Sequence, residues 1–162
     1  MSEAKHEIKD VTIRNAELYF KNFAGEEGTW NSKGDRNFGV FLDDDIAEEL
    51  ANDGWNVKKT KPNEEGYCRP FLKVKVNFKG NPRVYMVTSH NKQILDEEDI
   101  KHLDHCIFEK IDLKIRHVYL KKYDCYANYL DKGFFTIVED ELDREYFGGD
   151  DIESSELDES FN

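Results

Sequence analysis

The chain has 162 residues, 38% hydrophobic and 36% charged, with 13% aromatic residues and a formal charge of −12. That length supports one domain with a real core, and the aromatic content argues against disorder over most of it. No apolar run approaches the roughly 18 residues a membrane helix needs, and MSEAKHEIKD lacks a signal-peptide core, so a soluble, cytoplasmic-type protein is expected.

The charge is unevenly distributed. Residues 139–162 hold eleven acids and one base, a net −10, whereas the other 138 residues carry 24 acids and 22 bases. A near-neutral body of residues 1–138 with an acidic, flexible tail over residues 139–162 is the expected division. Such asymmetry is a sign of an interaction tail. The cysteines Cys68, Cys106 and Cys125 are widely spaced, odd in number and in no CxxC pair, so reduced thiols are expected rather than a disulfide framework.

The first strand candidate is Val11 to Phe20. Its apolar phase changes between Ile13 and Ala16, which implies a bulge or bend near Arg14 and Asn15. A glycine-punctuated loop from Lys21 to Asn37 follows, carrying Trp30, Lys33 and Arg36. Loops of that length in compact domains are commonly functional. Phe38, Val40 and Leu42 alternate as a second strand. Asp43, Asp44 and Asp45 cap a short helix that ends near Asp53, with Gly54 at C′ and Ile46 and Leu50 as its buried stripe. The triplet of acids is explained by the helix dipole without a metal. Trp55 to Lys61 reads as a third strand, with Lys58, Lys59 and Lys61 as a basic cluster.

Arg69 to Thr88 reads as a two-faced β-hairpin turning at Gly80-Asn81-Pro82. Leu72, Val74, Val76, Phe78, Val84 and Met86 face a core. Phe71, Lys73, Lys75, Arg83 and Tyr85 share the other side, because successive strand side chains alternate. Leu95 to Ile100 starts a second short helix, with Asp96 as its cap. The H-x-x-H-C run at His102 to Cys106 has no second ligand pair at zinc spacing. A long strand runs from Ile107 past Ile115 to Tyr119 and Tyr123. Two short strands, Tyr126–Leu130 and Phe134–Val138, are expected around a tight turn at Asp131-Lys132-Gly133. The total is seven or eight strands and two short helices, spaced as antiparallel units.

No P-loop, GxGxxG, GxSxG or HExxH is present, and no cofactor or metal site is implied. What recurs is a cation beside an aromatic ring. Single-strand binders combine these because every base has a π-face and every nucleotide a phosphate. The candidate nucleic-acid contacts are Trp30, Lys33, Arg36, Trp55, Lys58, Lys59, Lys61, Phe71, Lys73, Lys75, Arg83 and Tyr85. In the tail, Asp158, Glu159 and Phe161 offer partner proteins an apolar anchor within a charged segment, and the tail can compete with DNA for a cationic groove.

The run from Phe20-x-x-Phe23 into GTWNSKGDRNFGVFLD, then GWNVK, PFLKVKVNFKGNPRVYMVTS, LDEEDIKHLD and the close TIVEDELDREY, resembles the phage-type single-stranded DNA-binding proteins with an OB-fold, over residues 10–147. The resemblance implies a mainly β fold: a five-stranded antiparallel OB-like barrel with extra strands, two short helices and a disordered acidic tail. It also implies a non-enzymatic protein that coats single-stranded DNA in phage replication or recombination, in the host cytoplasm. Its tail would recruit replication or recombination proteins. In such barrels the loop between strands 1 and 2 and the open sheet face carry the contacts. Carried over, that adds Asn37 to Trp30, Lys33 and Arg36, with Trp55 and Lys58 beside them. The rivals are an acidic DNA mimic, which needs carboxylates spread over the folded surface, and a structural protein whose body binds nothing. A magnesium nuclease using Asp43 to Asp45 is a third.

Overall fold

The first strand breaks where its apolar phase changes. In the computed structural model, which describes residues 10–29 and 31–139, β1 (Asp10–Ile13) and β2 (Leu18–Asn22) are separated by Asn15 in a left-handed conformation at φ 53°. β1 pairs with β8 (Phe108–Leu120) and β2 with β3 (Asn37–Phe41), so one bent segment serves two neighbours. At the corner the Ala16 N–H donates to the Ile111 carbonyl at 2.7 Å. A register shift between Leu18 and Phe20 adds a bulge, and the rings of both Tyr19 and Phe20 reach Phe71.

The sheet path is β1-β8-β9-β5-β3-β2, with β5 at Pro70–Lys75 and β9 at Cys125–Ile137. It is mixed, where antiparallel pairing throughout was expected. β5 meets β9 in parallel at Lys75 and Tyr129. β6 (Arg83–Val87) also lies parallel to β9, from Arg83 opposite Lys132 to Val87 opposite Thr136.

Arg69 to Thr88 is therefore not a hairpin. β5 and β6 run in the same direction, one after the other, along one edge of β9. Between them Phe78–Gly80 forms a 3-10 turn, capped by the Asn77 side chain, which accepts from the Lys79 N–H at 3.0 Å. Asn81, at φ 56°, returns the chain to the edge without reversing it. The antiparallel partner of β6 is β7 (Lys92–Leu95), reached through a four-residue turn in which the Thr88 N–H donates to Asn91 O at 2.8 Å. Closing that short loop costs little chain entropy. The alternation of faces survives the changed connectivity: Leu72, Val74, Val84 and Met86 are buried.

Other expectations shift for equally local reasons. Of Trp55 to Lys61, only Lys58–Lys59 is a strand, β4, paired with β5. β9 is one continuous strand where two were expected, and Asp131 sits at a register shift opposite Lys114 and Ile115. Gly133 suggested a turn, but a Cβ there would lie 2.7 Å from the Phe135 ring, so the glycine makes room for packing. The real reversal is at residues 121–124, where Asp124 adopts φ 49°. The second helix is a 3-10 segment, Ile100–His105, and the Asp96 carboxylate accepts from the N–H groups of Glu98 and Asp99 just before it.

The helix α1 (Asp44–Asn52) buries Ala47 and Leu50, while Ile46 stays exposed. The centre of the core is a trio of rings, Phe23, Phe38 and Phe135, with centroids 5.4 to 6.4 Å apart. Each is fully buried, and truncating one costs about 3–5 kcal/mol. Asp104 ties the start of the long loop to this core by accepting from the N–H groups of Phe23 and Ala24, each at 2.8 Å. Among the described residues no helix is long and apolar enough to cross a membrane. Trp30 and residues 140–162, with Asp158, Glu159 and Phe161, lie outside the described residues.

Candidate nucleic-acid interface

Alternation along β5 places Phe71, Lys73 and Lys75 on the outer face, opposite Phe41, Gly39 and Asn37 of β3. The two ends of that face differ. At the Phe71 end, Tyr19 packs on Phe41 at 5.0 Å and on Phe71 at 4.9 Å between ring centroids. Gly39 leaves room for the Phe20 ring, since a Cβ there would meet the ring at 2.5 Å. The Arg69 guanidinium lies 3.8 Å above Phe41. Glu17 holds it there through hydrogen bonds of 3.1 and 2.8 Å. That bond lowers the Glu17 carboxyl below its ordinary range and raises Arg69. Phe71, expected among the DNA contacts, is thus only 9% exposed and covered by neighbouring rings.

At the lysine end the face opens. A cleft of about 510 Å³ is lined by Asn56, Lys58, Lys73, Lys75, Tyr123 and Tyr126, among others. A second, of about 470 Å³, is lined by Arg36, Lys75, Phe78, Lys79, Glu97 and Tyr129. Lys75 lines both and joins them. The walls are the residue 121–124 turn on one side, and Gly34 to Arg36 at the end of the long loop on the other.

Charge pairing separates the groove lysines from the arginines around them. Arg36 pairs with Glu97 at 3.3 Å, Arg69 with Glu17 at 2.8 Å, and Arg83 and Arg116 share Asp131 at 3.8 and 3.6 Å. Lys110 and Lys114 also have carboxylate partners, Asp112 and Asp10. Among the described residues, Lys58, Lys73, Lys75 and Lys79 have no carboxylate within 4.0 Å. An unpaired lysine in a groove can meet a phosphate without first breaking a contact.

Trp55 enters this architecture from beneath. It is 5% exposed, so it is not a free platform for a base. Its ring stacks on His117 at 4.4 Å and 15°, and His117 stacks in turn on Tyr126 at 4.4 Å and 9°. His117 is 3% exposed. The Asn128 amide donates to the Lys73 carbonyl at 3.2 Å, which leaves its oxygen to accept from His117 Nδ1–H, also at 3.2 Å. His117 Nε2 is buried without a partner. Burial holds this imidazole below its ordinary pKa, against the opposing effect of the Asn128 bond.

The remaining candidates divide. Lys33, Lys59 and Lys61 are exposed. Arg36 lines the second cleft, its guanidinium 5.9 Å over the Phe78 ring. Asn37 is buried and donates to Asn31 Oδ1 at 2.7 Å and Asp35 O at 2.9 Å, so it braces the loop from below. Arg83 and Tyr85 lie on β6 and line neither cleft. Tyr85 stacks on Phe134 at 4.9 Å and 8°, with Lys92 above both rings. Tyr123, Tyr126 and Tyr129 line the groove although they were not among the candidates. The signal available for Tyr123 was the Tyr-Leu-Lys-Lys-Tyr run after Val118.

A mainly β domain with unpaired lysines and tyrosine rings along one groove has the ingredients of a single-strand-binding protein. The chain belongs to the family described as "Putative phage ssDNA-binding domain", which matches residues 1–159. Its fold is similar to the single-stranded DNA-binding protein from bacteriophage Enc34, at a TM-score of 0.53 and 10% identity, covering 81% of this chain and 82% of that one. The same Enc34 protein in complex with ssDNA matches at 0.53 and 10% identity, over 81% and 88%. Its C-terminal truncation matches at 0.51 and 10% identity, over 81% and 87%. No curated protein matches the chain. The family is one of DNA-binding proteins rather than enzymes.

Proposed function

We propose that the protein coats single-stranded DNA without sequence preference during phage DNA replication or recombination. The strand would lie in the groove joined by Lys75. Lys58, Lys73, Lys75 and Lys79 take phosphates, and Tyr123, Tyr126, Tyr129 and Phe78 offer ring faces to bases. The observation that carries this reading is the set of lysines lining both clefts that have no carboxylate partner among the described residues. Stacking contributes about 1–3 kcal/mol per base and is indifferent to base identity. An Enc34 relative of the same fold has been solved with ssDNA, which supports the same class of ligand. Residues 139–162, net −10, would recruit replication or recombination proteins through Asp158, Glu159 and Phe161, and would compete with DNA for the groove.

Titration of labelled oligo-dT, read by fluorescence anisotropy over a range of salt, tests the reading. Saturable binding whose affinity falls by about 0.7 log units per log unit of salt for each phosphate neutralised is expected. Absence of a complex at low salt would overturn it. Truncation after Val138 should tighten binding, and unchanged affinity would remove the competing role of the tail.

A further inference from the structure

Trp55, His117 and Tyr126 form a three-ring stack running from the core to the groove wall. His117 is its middle member and is bonded sideways to Asn128, which in turn holds the backbone of Lys73. A packed core position with this geometry needs only a ring. A phenylalanine would fill it without leaving Nε2 buried and unpartnered, a loss that costs free energy. What histidine adds over phenylalanine is the bond to Asn128. That bond reaches the groove-lining lysine of β5, while the ring reaches the groove-lining tyrosine of β9.

We infer that His117 is a positioning residue for the DNA groove, setting the Tyr126 ring and the Lys73 backbone together from beneath. The inference rests on the groove being the DNA site. His117 touches no DNA itself. Its ring fixes the plane of Tyr126, and its Nδ1–H orients Asn128 so that the amide meets Lys73 O. Two arms leave one imidazole, so substitutions can cut them separately. His117→Phe keeps the stack and releases Asn128. His117→Ala loses both.

The test is a double-mutant cycle on oligo-dT affinity with the full chain, with melting temperature measured alongside. His117→Phe should retain the wild-type melting temperature within a few degrees and weaken dT binding about threefold. His117→Ala should weaken it about tenfold. In a Tyr126→Ala background, which itself binds more weakly, the cost of His117→Ala should shrink to that of His117→Phe, because the ring arm has nothing left to position. The inference is overturned if His117→Ala costs the same with and without Tyr126, or if His117→Phe binds as wild type. It is also overturned if Tyr126→Ala leaves affinity unchanged. Failure of the wild-type chain to bind dT would instead overturn the groove as a DNA site, so the two failures are distinct.

Discussion

The lysine groove and the arginine-bridged flanks around it carry cations of the same sign in opposite conditions. On the flanks, Arg69, Arg83 and Arg116 each have a carboxylate within 4.0 Å, and at the groove mouth Arg36 has Glu97. In the groove, Lys58, Lys73 and Lys75 have none among the described residues. The planar, multi-donor guanidinium suits fixed two-point pairing, whereas lysine is a mobile point charge. Other exposed lysines, such as Lys59 and Lys61, also lack an ion pair among the described residues, so what marks the binding surface is available charge set beside ring faces in a cleft. Outside its acidic tail the body carries two more acids than bases, yet lysines outnumber acids along the groove, where Asp35 and Glu97 are the lining carboxylates and Glu97 is held by Arg36.

The largest expected effect breaks the groove side of this contrast. Lys73→Ala with Lys75→Ala should weaken oligo-dT binding about 30-fold at low salt, from about 1 kcal/mol per lost charge contact. Circular dichroism should show an unchanged fold, since among the described residues neither side chain has an ion-pair partner. On the flank, Gly39→Ala forces a methyl into the Phe20 ring and should destabilise the domain by about 1–3 kcal/mol, read as a lower melting temperature. That flank is packing, so dT affinity measured below the transition should change little.

Connectivity was the part of the fold least readable from residues. Strand phase was readable: Val74 and Val84 point inward as alternation requires, and the bend expected near Asn15 is where the backbone turns left-handed. Gly80-Asn81-Pro82 and Asp131-Lys132-Gly133 carry the same residue types as hairpin turns, yet one is a 3-10 detour and the other lies inside a strand at a bulge. Both outcomes depend on partners distant in sequence, β9 for the first and β8 for the second, where Asp131 bulges opposite Lys114 and Ile115, and local composition does not contain them. The same limit explains Trp55. Its phase with Val57 was readable, but the histidine that covers it lies 62 residues further along the chain. In the site, lysines were readable because their chemistry is local to the side chain. Whether an arginine is already occupied depends on a carboxylate as distant as Glu97 is from Arg36.

Smaller effects sharpen the comparison further. Glu97→Gln removes a carboxylate from the groove mouth and releases Arg36, so dT affinity should rise about threefold, the scale of an exposed ion pair. A melting series between pH 7.5 and 5.5 should report His117. Its folded-state pKa lies below the ordinary value of 6.5, so the unfolded chain takes the proton first. The stability it contributes is complete above the ordinary value and is lost as pH falls through the depressed one. Its ring is faced by Trp55, by the Tyr126 phenol and by the neutral Asn128 amide. Tyr119 and Asp124 stand behind Tyr126, and Arg116 precedes it on β8. Wild type should therefore lose more melting temperature across that range than His117→Phe, which shares every other titrating group. Arg83→Ala should change dT affinity by less than about twofold, because its charge is already met by Asp131.

The salt dependence of dT binding compares the two kinds of cation most directly. Measured on the wild type, on Lys73→Ala/Lys75→Ala and on Arg83→Ala, the log–log slope should become shallower by about 1.4 for the lysine pair, two phosphates at about 0.7 each, and stay at the wild-type value for Arg83→Ala. A slope that falls for Arg83→Ala and holds for the lysine pair would contradict the assignment of the DNA path to the groove around Lys75.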